Sequence, residues 1–154
     1  MKKIATLTLL LAISFSVFAT EPQAKKTVKP IDLTKSTFLE RVFDYETNPD
    51  EWSYKGDKPA IVDFHAAWCA PCRITSPILT ELAAEYGDKI YVYKIDVDKE
   101  PELANKLGAK SLPMFLFIPM NEVPQMAIGA LPKKSFREVI ETFLLKDPEP
   151  SSLK

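Results

Sequence analysis

The pattern of apolar and polar residues along the chain predicts alternating strands and helices. Residues 60–65 form a short, largely apolar run, and residues 90–95 are rich in the β-branched and aromatic side chains typical of strands. Between these runs, apolar residues recur at helical spacing; they are Ile74, Ile78, Leu79, Leu82, Ala83 and Tyr86. We expect Pro77 to kink this helix, because proline removes a helical hydrogen bond.

Turn residues divide the second half of the chain in the same way. Pro101 and Gly108 bracket a short helix, since proline suits a helix start and glycine a helix end. The runs 114–118 and 123–128 are separated by a turn, which predicts an antiparallel pair of strands. The last helix, over about 132–145, carries one apolar stripe, formed by Phe136, Val139, Ile140, Phe143 and Leu144.

Before the first strand, Thr37 and Glu40 form a candidate capping box, which predicts a short helix through Phe43. Residues 44–58 are polar and rich in turn residues, so we expect a loop there. The resulting order of elements predicts an α/β fold, in which a central mixed β-sheet is flanked by helices. We assign residues 37–146 to this domain, between a polar linker (20–36) and a flexible tail (147–154).

The first residues have a different pattern. A basic start, Met1 to Lys3, precedes a mostly apolar run that ends at Val17-Phe18-Ala19, the spacing of small residues that a signal peptidase cleaves. The run is shorter than the ~20 residues that span a membrane. We therefore predict that residues 1–19 are a secretory signal peptide that is cleaved after Ala19. The mature protein is then expected in the periplasm, with full secretion as the alternative. Disulfides persist in such compartments.

The charge balance and the number of cysteines limit the kinds of binding partner that we expect. The 20 Lys and Arg residues nearly balance the 21 Asp and Glu residues, so the formal net charge is −1 and no strong field for nucleic acid is expected. The chain has only two cysteines, with two residues between them, so we expect no structural disulfide between copies. We therefore expect a monomer.

This close pair of cysteines, Cys69 and Cys72, is better suited to chemistry than to structure. Closing a loop of about four residues would stabilise the fold by roughly 1.9 kcal/mol, against roughly 3 kcal/mol for fifteen residues. A structural zinc site needs four ligands, and His65 is the one histidine of the chain. Attached haem needs a histidine where Arg73 stands. We expect no metal, and no cofactor beyond a redox-active Cys69–Cys72 disulfide.

The pair lies where the strand over 60–65 gives way to a helix. Unpaired amides at the helix start, together with the helix dipole, favour a thiolate there. Cys69 is therefore predicted to be an exposed nucleophile of low pKa. Cys72, one helical turn further on, is predicted to resolve the mixed disulfide, and Pro71 to keep the intervening turn stiff.

Four segments together resemble the thioredoxin family over about residues 35–145; they are "VDFHAAWCAPCR", "SPILTELAAEY", "YKIDVDKEPELANKLGAKSLPMFLF" and "IGALPKKSFREVI". The interval from Cys72 to Pro113 matches a plain thioredoxin, without the insertions of the cytochrome-maturation, oxidase and isomerase branches. The resemblance implies the thioredoxin fold, with Cys69 as nucleophile and Cys72 as resolving thiol in exchange with disulfide-containing proteins.

The resemblance also implies roles around the pair. Asp63 matches the buried acid beneath Cys72, and Lys94 its partner, while Leu112 and Pro113 match a cis-proline loop whose backbone pairs with substrate. In the apolar segment "AIVDF", burial would raise the pKa of Asp63 and let it accept a proton from Cys72, directly or through water. Each of these roles has an alternative. Asp63 could be a core acid that is satisfied only by Lys94 and water, Lys94 could face the surface, and Pro113 could be an ordinary turn proline.

A docking surface is implied in the same way. Trp68 matches an exposed aromatic residue of the family, and Gly129 matches a glycine of its docking surface. Ala70 and Pro71, which stand between the two cysteines, are also expected to contact substrate. Aromatic residues are enriched at interfaces, which favours docking by Trp68 over ordinary packing.

Three positions depart from the family pattern. His65 stands where an aromatic residue is common, and it is either a group that titrates near neutral pH beside the thiolate or a half-buried spacer. The dipeptide Ala70-Pro71 replaces Gly-Pro and brings no histidine between the cysteines, which favours a reductant. Met114, where threonine is usual, predicts a more apolar substrate groove.

Three functions are compatible with these features. The first is an exported thiol–disulfide oxidoreductase that reduces protein disulfides and is recharged by a membrane thiol–disulfide donor. The second is an oxidant or isomerase that makes or reshuffles disulfides. The third is a non-catalytic binding or chaperone module that uses the groove around Pro113.

Overall fold

The computed structural model describes residues 28–146. In chain order its elements are strand β1 (Ile31–Asp32), helix α1 (Lys35–Arg41), β2 (Ala60–His65), α2 (Ala70–Tyr86), β3 (Tyr91–Asp96), α3 (Pro101–Lys106), β4 (Met114–Ile118), β5 (Gln125–Ile128) and α4 (Lys133–Val139), which continues as a π-helical segment over Ile140–Leu144. The predicted signal peptide and its cleavage site, linker residues 20–27 and the tail 147–154 lie outside the described residues.

The five strands form one mixed sheet in the order β1-β3-β2-β4-β5. Strands β1 and β2 run parallel to β3, whereas β4 is antiparallel to both β2 and β5. Because β2 is central and covered on both faces, its residues 60–64 are all buried. The predicted α/β architecture with a mixed sheet and flanking helices is confirmed.

Side chains that alternate along β2 supply two separate cores. Val62 and Phe64 pack on one face, in a cluster that contains Phe38 of α1 and Leu103 of α3. Ile61 packs on the other face; its cluster contains Leu79 and Leu82 of α2 and Phe136 of α4. Burial of each such side chain contributes about 1.5–3 kcal/mol. Asp63, between Val62 and Phe64, therefore lies on the face that α2 and α4 cover.

Helix α1 begins and ends earlier than predicted. Its N-cap is Thr34, whose hydroxyl accepts a hydrogen bond from the Thr37 amide (3.3 Å), while the Thr37 hydroxyl accepts one from the Thr34 amide (2.9 Å). The capping box predicted from Thr37 and Glu40 is therefore wrong. Leu33 and Phe38 flank the true cap and lie in one buried cluster, as in a hydrophobic staple.

The stretch 20–36, expected as a linker, contains part of the fold. Ile31 and Asp32 pair with Tyr93 and Lys94 as strand β1, and α1 already begins at Lys35. Two residues are too few to show a strand pattern in sequence, and only pairing with β3 defines them.

The remaining elements follow the predictions closely. Strands β2 and β4 have the predicted bounds, β3 is shifted by one residue, and β5 begins two residues late. Helix α2 continues through Pro77, and residues 44–58 contain neither helix nor strand. Within residues 28–146, no helix has both the length and the apolarity to cross a membrane.

Candidate active site

The two cysteines lie at the amino end of α2. Cys69 is the N-cap residue, and a disulfide joins it to Cys72 in the first turn, with 5.3 Å between the Cα atoms. Pro71 is tolerated between them because amides in a first turn need no helical partner. The Cys72 amide donates to the Cys69 sulfur at 3.2 Å. This amide and the helix dipole are the groups that would stabilise a thiolate on Cys69 after reduction.

The expectation that Cys69 is exposed is wrong for the disulfide form. Each cysteine is only 4% exposed, and both lie in a small cluster with Ala66. Leu112 and Val97 pack against this cluster, and the Cys69 sulfur turns back toward the helix start to meet the Cys72 amide. The residues on either side of Cys69, Trp68 and Ala70, remain exposed, so access to the disulfide is along this rim.

Asp63 is a buried acid, as predicted. It is 1% exposed, and neither carboxylate oxygen has a hydrogen-bond partner among the described residues. Burial raises its pKa to about 7, against the opposing effect of the Lys94 charge. A carboxyl group that titrates near neutral pH is suited to accept and return a proton. Its role toward Cys72 stays a prediction.

Lys94 lies beside Asp63 in the register of β2 and β3. Its side chain is partly buried, and its ammonium group donates to the Ser76 hydroxyl of α2 at 3.3 Å. Within residues 28–146 no ion pair joins it to Asp63. Lys94 therefore acts on the acid through its charge, without a direct contact, and its catalytic role stays a prediction.

The loop before β4 contains the predicted cis peptide, between Leu112 and Pro113. The Gly129 amide donates to the Pro113 carbonyl at 2.8 Å, which joins the end of β5 to this loop. Gly129 has φ of 96°, a conformation that favours glycine. Met114 is fully buried, so the prediction that it lines an apolar substrate groove is wrong, because its position on β4 points it into the core.

Trp68 is 68% exposed, which fits the predicted docking residue. Its indole N–H donates to both carboxylate oxygens of Asp98, at 2.9 and 3.2 Å. Sequence reasoning missed Asp98. The signal was its place just after β3, because the carboxyl ends of parallel strands β2 and β3 meet at one edge of the sheet.

His65 ends β2 and is half-buried. Its Nε2 atom is buried without a hydrogen-bond partner among the described residues. Burial, followed by the Lys94 charge, holds its pKa below the usual value of 6.5. In the part of the chain that the structure describes, no group of three or more His, Cys, Asp or Glu side chains is placed to hold a metal ion.

A disulfide at a helix start, a buried carboxyl group on the adjoining strand and a cis-proline loop packed against the pair define a class of protein. This is a thiol–disulfide oxidoreductase that reacts through its own cysteine pair.

Known proteins agree with this class. The thioredoxin family model matches residues 27–142. A thioredoxin of Borreliella burgdorferi is 44% identical over 113 residues, covering 73% of this chain and 96% of that protein. Thioredoxin 1 of Nostoc sp. is 34% identical over 112 residues, covering 73% and 94%. The crystal structure of chloroplastic thioredoxin z matches with a TM-score of 0.63 and 27% identity, covering 75% of this chain and 94% of that one.

The chain belongs to the thioredoxin family. It is a dithiol–disulfide oxidoreductase that acts on disulfide-containing proteins, with the Cys69–Cys72 pair as its redox group.

Proposed function

We propose that this protein is exported and reduces protein disulfides outside the cytoplasm. Export is supported by the basic start, apolar run and small-residue cleavage pattern of residues 1–19. Because NADPH-dependent systems stay in the cytoplasm, a membrane thiol–disulfide donor returns the pair to the dithiol form. In this proposal the protein works as a monomer, and the engagement of both cysteines with each other leaves neither for a disulfide between copies.

The first chemical step is attack by the Cys69 thiolate on a substrate disulfide. A bond forms between Cys69 and one substrate sulfur, and the other substrate sulfur leaves as a thiolate that takes up a proton. The Cys72 amide, 3.2 Å from the Cys69 sulfur, stabilises the attacking anion.

The second step releases the reduced substrate. The Cys72 thiol gives its proton to the Asp63 carboxylate and attacks the Cys69 sulfur. The Cys69–Cys72 bond forms, and the remaining substrate sulfur leaves as a thiolate. The observation that carries this chemistry is Asp63 itself, buried on the strand that precedes the pair, with its pKa raised to about 7.

The substrate chain docks beside the disulfide. The exposed indole of Trp68 forms one side of the docking surface and is held by Asp98. The loop at Leu112 and Pro113, tied to Gly129, forms the other side, where backbone groups next to Pro113 pair with the substrate. Exposed Ala70 and Pro71 lie between the two sides.

The direction of transfer is supported by the dipeptide between the cysteines. A strong oxidant needs an unusually stable thiolate in its reduced form. Ala70 and Pro71 carry no charge and no side-chain donor, so the dipeptide adds nothing to the stabilisation that the helix start gives the Cys69 thiolate. The disulfide form is then comparatively stable, as a reductant requires.

Trapping thiols in growing cells tests the direction. Cells are quenched with acid and treated with a mass-labelling alkylating reagent, so that reduced and oxidised protein separate on a gel. We expect Cys69 and Cys72 to be mostly reduced. A pair that is mostly oxidised would rule out the reductase function. Fractionation of the same cells, with N-terminal sequencing, tests export; the expected mature protein is extracytoplasmic and starts at Thr20.

A further inference from the structure

Strand β5 leaves one edge of the sheet open. Among the described residues its neighbour in the sheet is β4 alone, so its other side is an edge. The Gly129 amide donates to the Pro113 carbonyl, which makes these two residues a hydrogen-bonded pair. Such pairs alternate along antiparallel strands, so the N–H and C=O groups of Met126 and Ile128 point away from β4. These outward-facing groups can pair with another strand.

Apolar side chains line the same edge. Met126 and Ile128 pair with β4 residues of the core cluster on the α1 side, yet they are 50% and 59% exposed. Val123, in the turn before the strand, is 71% exposed. No residue of 123–132 is charged, although sheet edges are usually protected by charged side chains. An exposed apolar patch of this kind is typical of an interaction surface.

We propose that the open edge of β5 binds an extended, apolar segment of the substrate protein beside the disulfide under attack, as an additional strand of the sheet. The inference rests on the exchange reaction and the docking surface proposed above. It specifies the substrate class, which is chains that are unfolded or locally extended next to their cysteine. Main-chain hydrogen bonds to Met126 and Ile128 supply affinity, while the exposed side chains select apolar residues at alternate positions.

The open edge is continuous with the docking surface around the disulfide. Strand β5 ends at Ile128, and the next residue, Gly129, is bonded to the loop that contains Pro113. Leu112 of that loop packs against both cysteines. An extended chain covers about 3.3 Å per residue. A substrate whose cysteine reacts with Cys69 therefore reaches the end of β5 within a few residues, and it then runs antiparallel to β5.

A second copy of this chain is a less suitable occupant. Pro124 has no N–H, so it interrupts the row of outward-facing donors just before the strand. The edge that remains consists of Met126 and Ile128, with Val123 nearby. Three partly exposed side chains supply less than the roughly 800 Å² per partner of a standard stable interface. A contact of this size suits a substrate, which must leave after each turnover.

Peptides that carry a coloured leaving group test the proposal in single turnovers. The cysteine of each peptide is joined to thionitrobenzoate through a disulfide. The Cys69 thiolate attacks the peptide sulfur and thionitrobenzoate leaves as a coloured thiolate; attack by Cys72 then releases the reduced peptide as the Cys69–Cys72 bond forms. A strand peptide continues with alternating valine and threonine, and a short peptide ends after two glycines. The strand peptide should half-saturate the reduced protein at about tenfold lower concentration, the equivalent of one or two hydrogen bonds.

Two lysine substitutions on the same strand locate the contact. Met126→Lys places a charge on the open apolar edge, whereas Gln125→Lys places the same charge on the opposite face, at a residue whose main-chain groups face β4. Met126→Lys should abolish the preference for the strand peptide, and Gln125→Lys should keep it within twofold. Equal effects of the two substitutions, or no preference in the wild type, would overturn the proposal. Urea unfolding checks that both variants keep the fold.

N-methylated peptides test whether the main chain is recognised. Two versions of the strand peptide carry N-methyl groups on alternate residues, one version at the odd positions and the other at the even positions. Because a strand turns alternate amides toward its neighbour, one version should lose about tenfold in half-saturating concentration and the other should match the parent peptide. Equal results for the two versions would contradict addition of a strand.

Sedimentation and thiol trapping separate this proposal from its neighbours. A wild-type dimer that Met126→Lys dissociates would assign the edge to a second copy and overturn substrate binding there; we expect both proteins to sediment as monomers. The peptide assay uses purified, reduced protein, so it does not depend on the direction of transfer in cells. An oxidised pair in cells together with a strand preference would remove the reductase and keep the edge. A reduced pair without a preference would do the reverse.

Discussion

The two ends of helix α2 differ in the acidic side chains that they meet. Its first turns cover a sheet face that holds one buried acid, whereas its last turns carry two exposed acids. Asp63, near the amino end, has no hydrogen-bond partner for either oxygen in the described chain. Glu81 and Glu85, near the other end, bind α4: Lys133 lies 2.7 Å from Glu81, and Arg137 lies 2.8 Å from Glu85. Carboxyl groups thus meet opposite surroundings at the two ends of α2, one on the strand beneath the helix and two on the helix itself.

The contrast separates reactivity from stability. A buried carboxyl without a partner resists ionisation, which raises its pKa into the range where it can exchange protons at neutral pH. The pKa of Glu85 is held below its usual value by hydrogen bonds from Lys133 and Arg137, so it stays ionised and exchanges no proton near neutrality. The substitutions below change one end at a time, in order of decreasing effect.

The largest effect is expected from Cys69→Ser. Serine cannot attack a disulfide at a useful rate, so reduction of a protein disulfide should fall to the uncatalysed background. The measurement is reduction of insulin in the presence of excess dithiothreitol. Cys72→Ser is the matched control, since it keeps the nucleophile and should accumulate a mixed disulfide visible by mass spectrometry. Retention of full cellular function by Cys69→Ser would instead favour a binding module.

Asp63→Asn should stabilise the protein and slow its chemistry. Because burial raises the folded-state pKa of Asp63 to about 7 from an ordinary value of 3.8, the wild type loses stability as pH rises between these values. Above pH 7 the loss reaches up to about 4 kcal/mol, at 1.36 kcal/mol per pKa unit. Asparagine removes the loss, while resolution by Cys72 should slow by about a hundredfold.

Urea unfolding of both disulfide-bonded proteins at pH 4 and pH 8 measures this difference. Titrating groups that do not interact with Asp63 are common to the two proteins and cancel in the comparison. The variant should gain little at pH 4 and most at pH 8. Equal differences at the two pH values would mean that Asp63 does not titrate in this range.

The sequence was informative where one residue type meets one local constraint. The bounds of β2 follow from a continuous apolar run, and the burial of Asp63 follows from its place inside that run. The cysteine pair at a helix start follows from its position between a strand and a helical pattern. The fold and the centre of the site were predictable for this reason.

Contacts between distant segments were not predictable. Strand β1 exists only through its pairing with β3, and the low exposure of Cys69 depends on Leu112 packing against it from another loop. Likewise, the bond between Trp68 and Asp98 joins residues thirty positions apart. No local sequence pattern indicates these contacts, because they form only when segments distant in the chain come together in the fold.

That missed bond predicts a smaller effect at the reactive end. Asp98→Asn weakens acceptance from the Trp68 indole, which then samples more orientations before substrate docks. We expect KM for a protein substrate to rise about fivefold, the equivalent of one ordinary hydrogen bond, with kcat little changed. Reaction with dithiothreitol, which needs no docking surface, is the control. An unchanged KM would show that Asp98 does not position the indole for docking.

The smallest effect is expected from Glu85→Gln, at the other end of α2. The substitution removes the exposed charge that Lys133 and Arg137 share, and such surface pairs contribute little because water and salt screen them. The urea midpoint should fall slightly at low ionic strength and match the wild type in high salt, with insulin reduction unchanged throughout. Lys99→Gln is a control, since it removes an exposed charge next to Asp96, away from α4. A Glu85→Gln protein with slowed thiol exchange would show that the two ends of α2 are coupled, against the separation argued above.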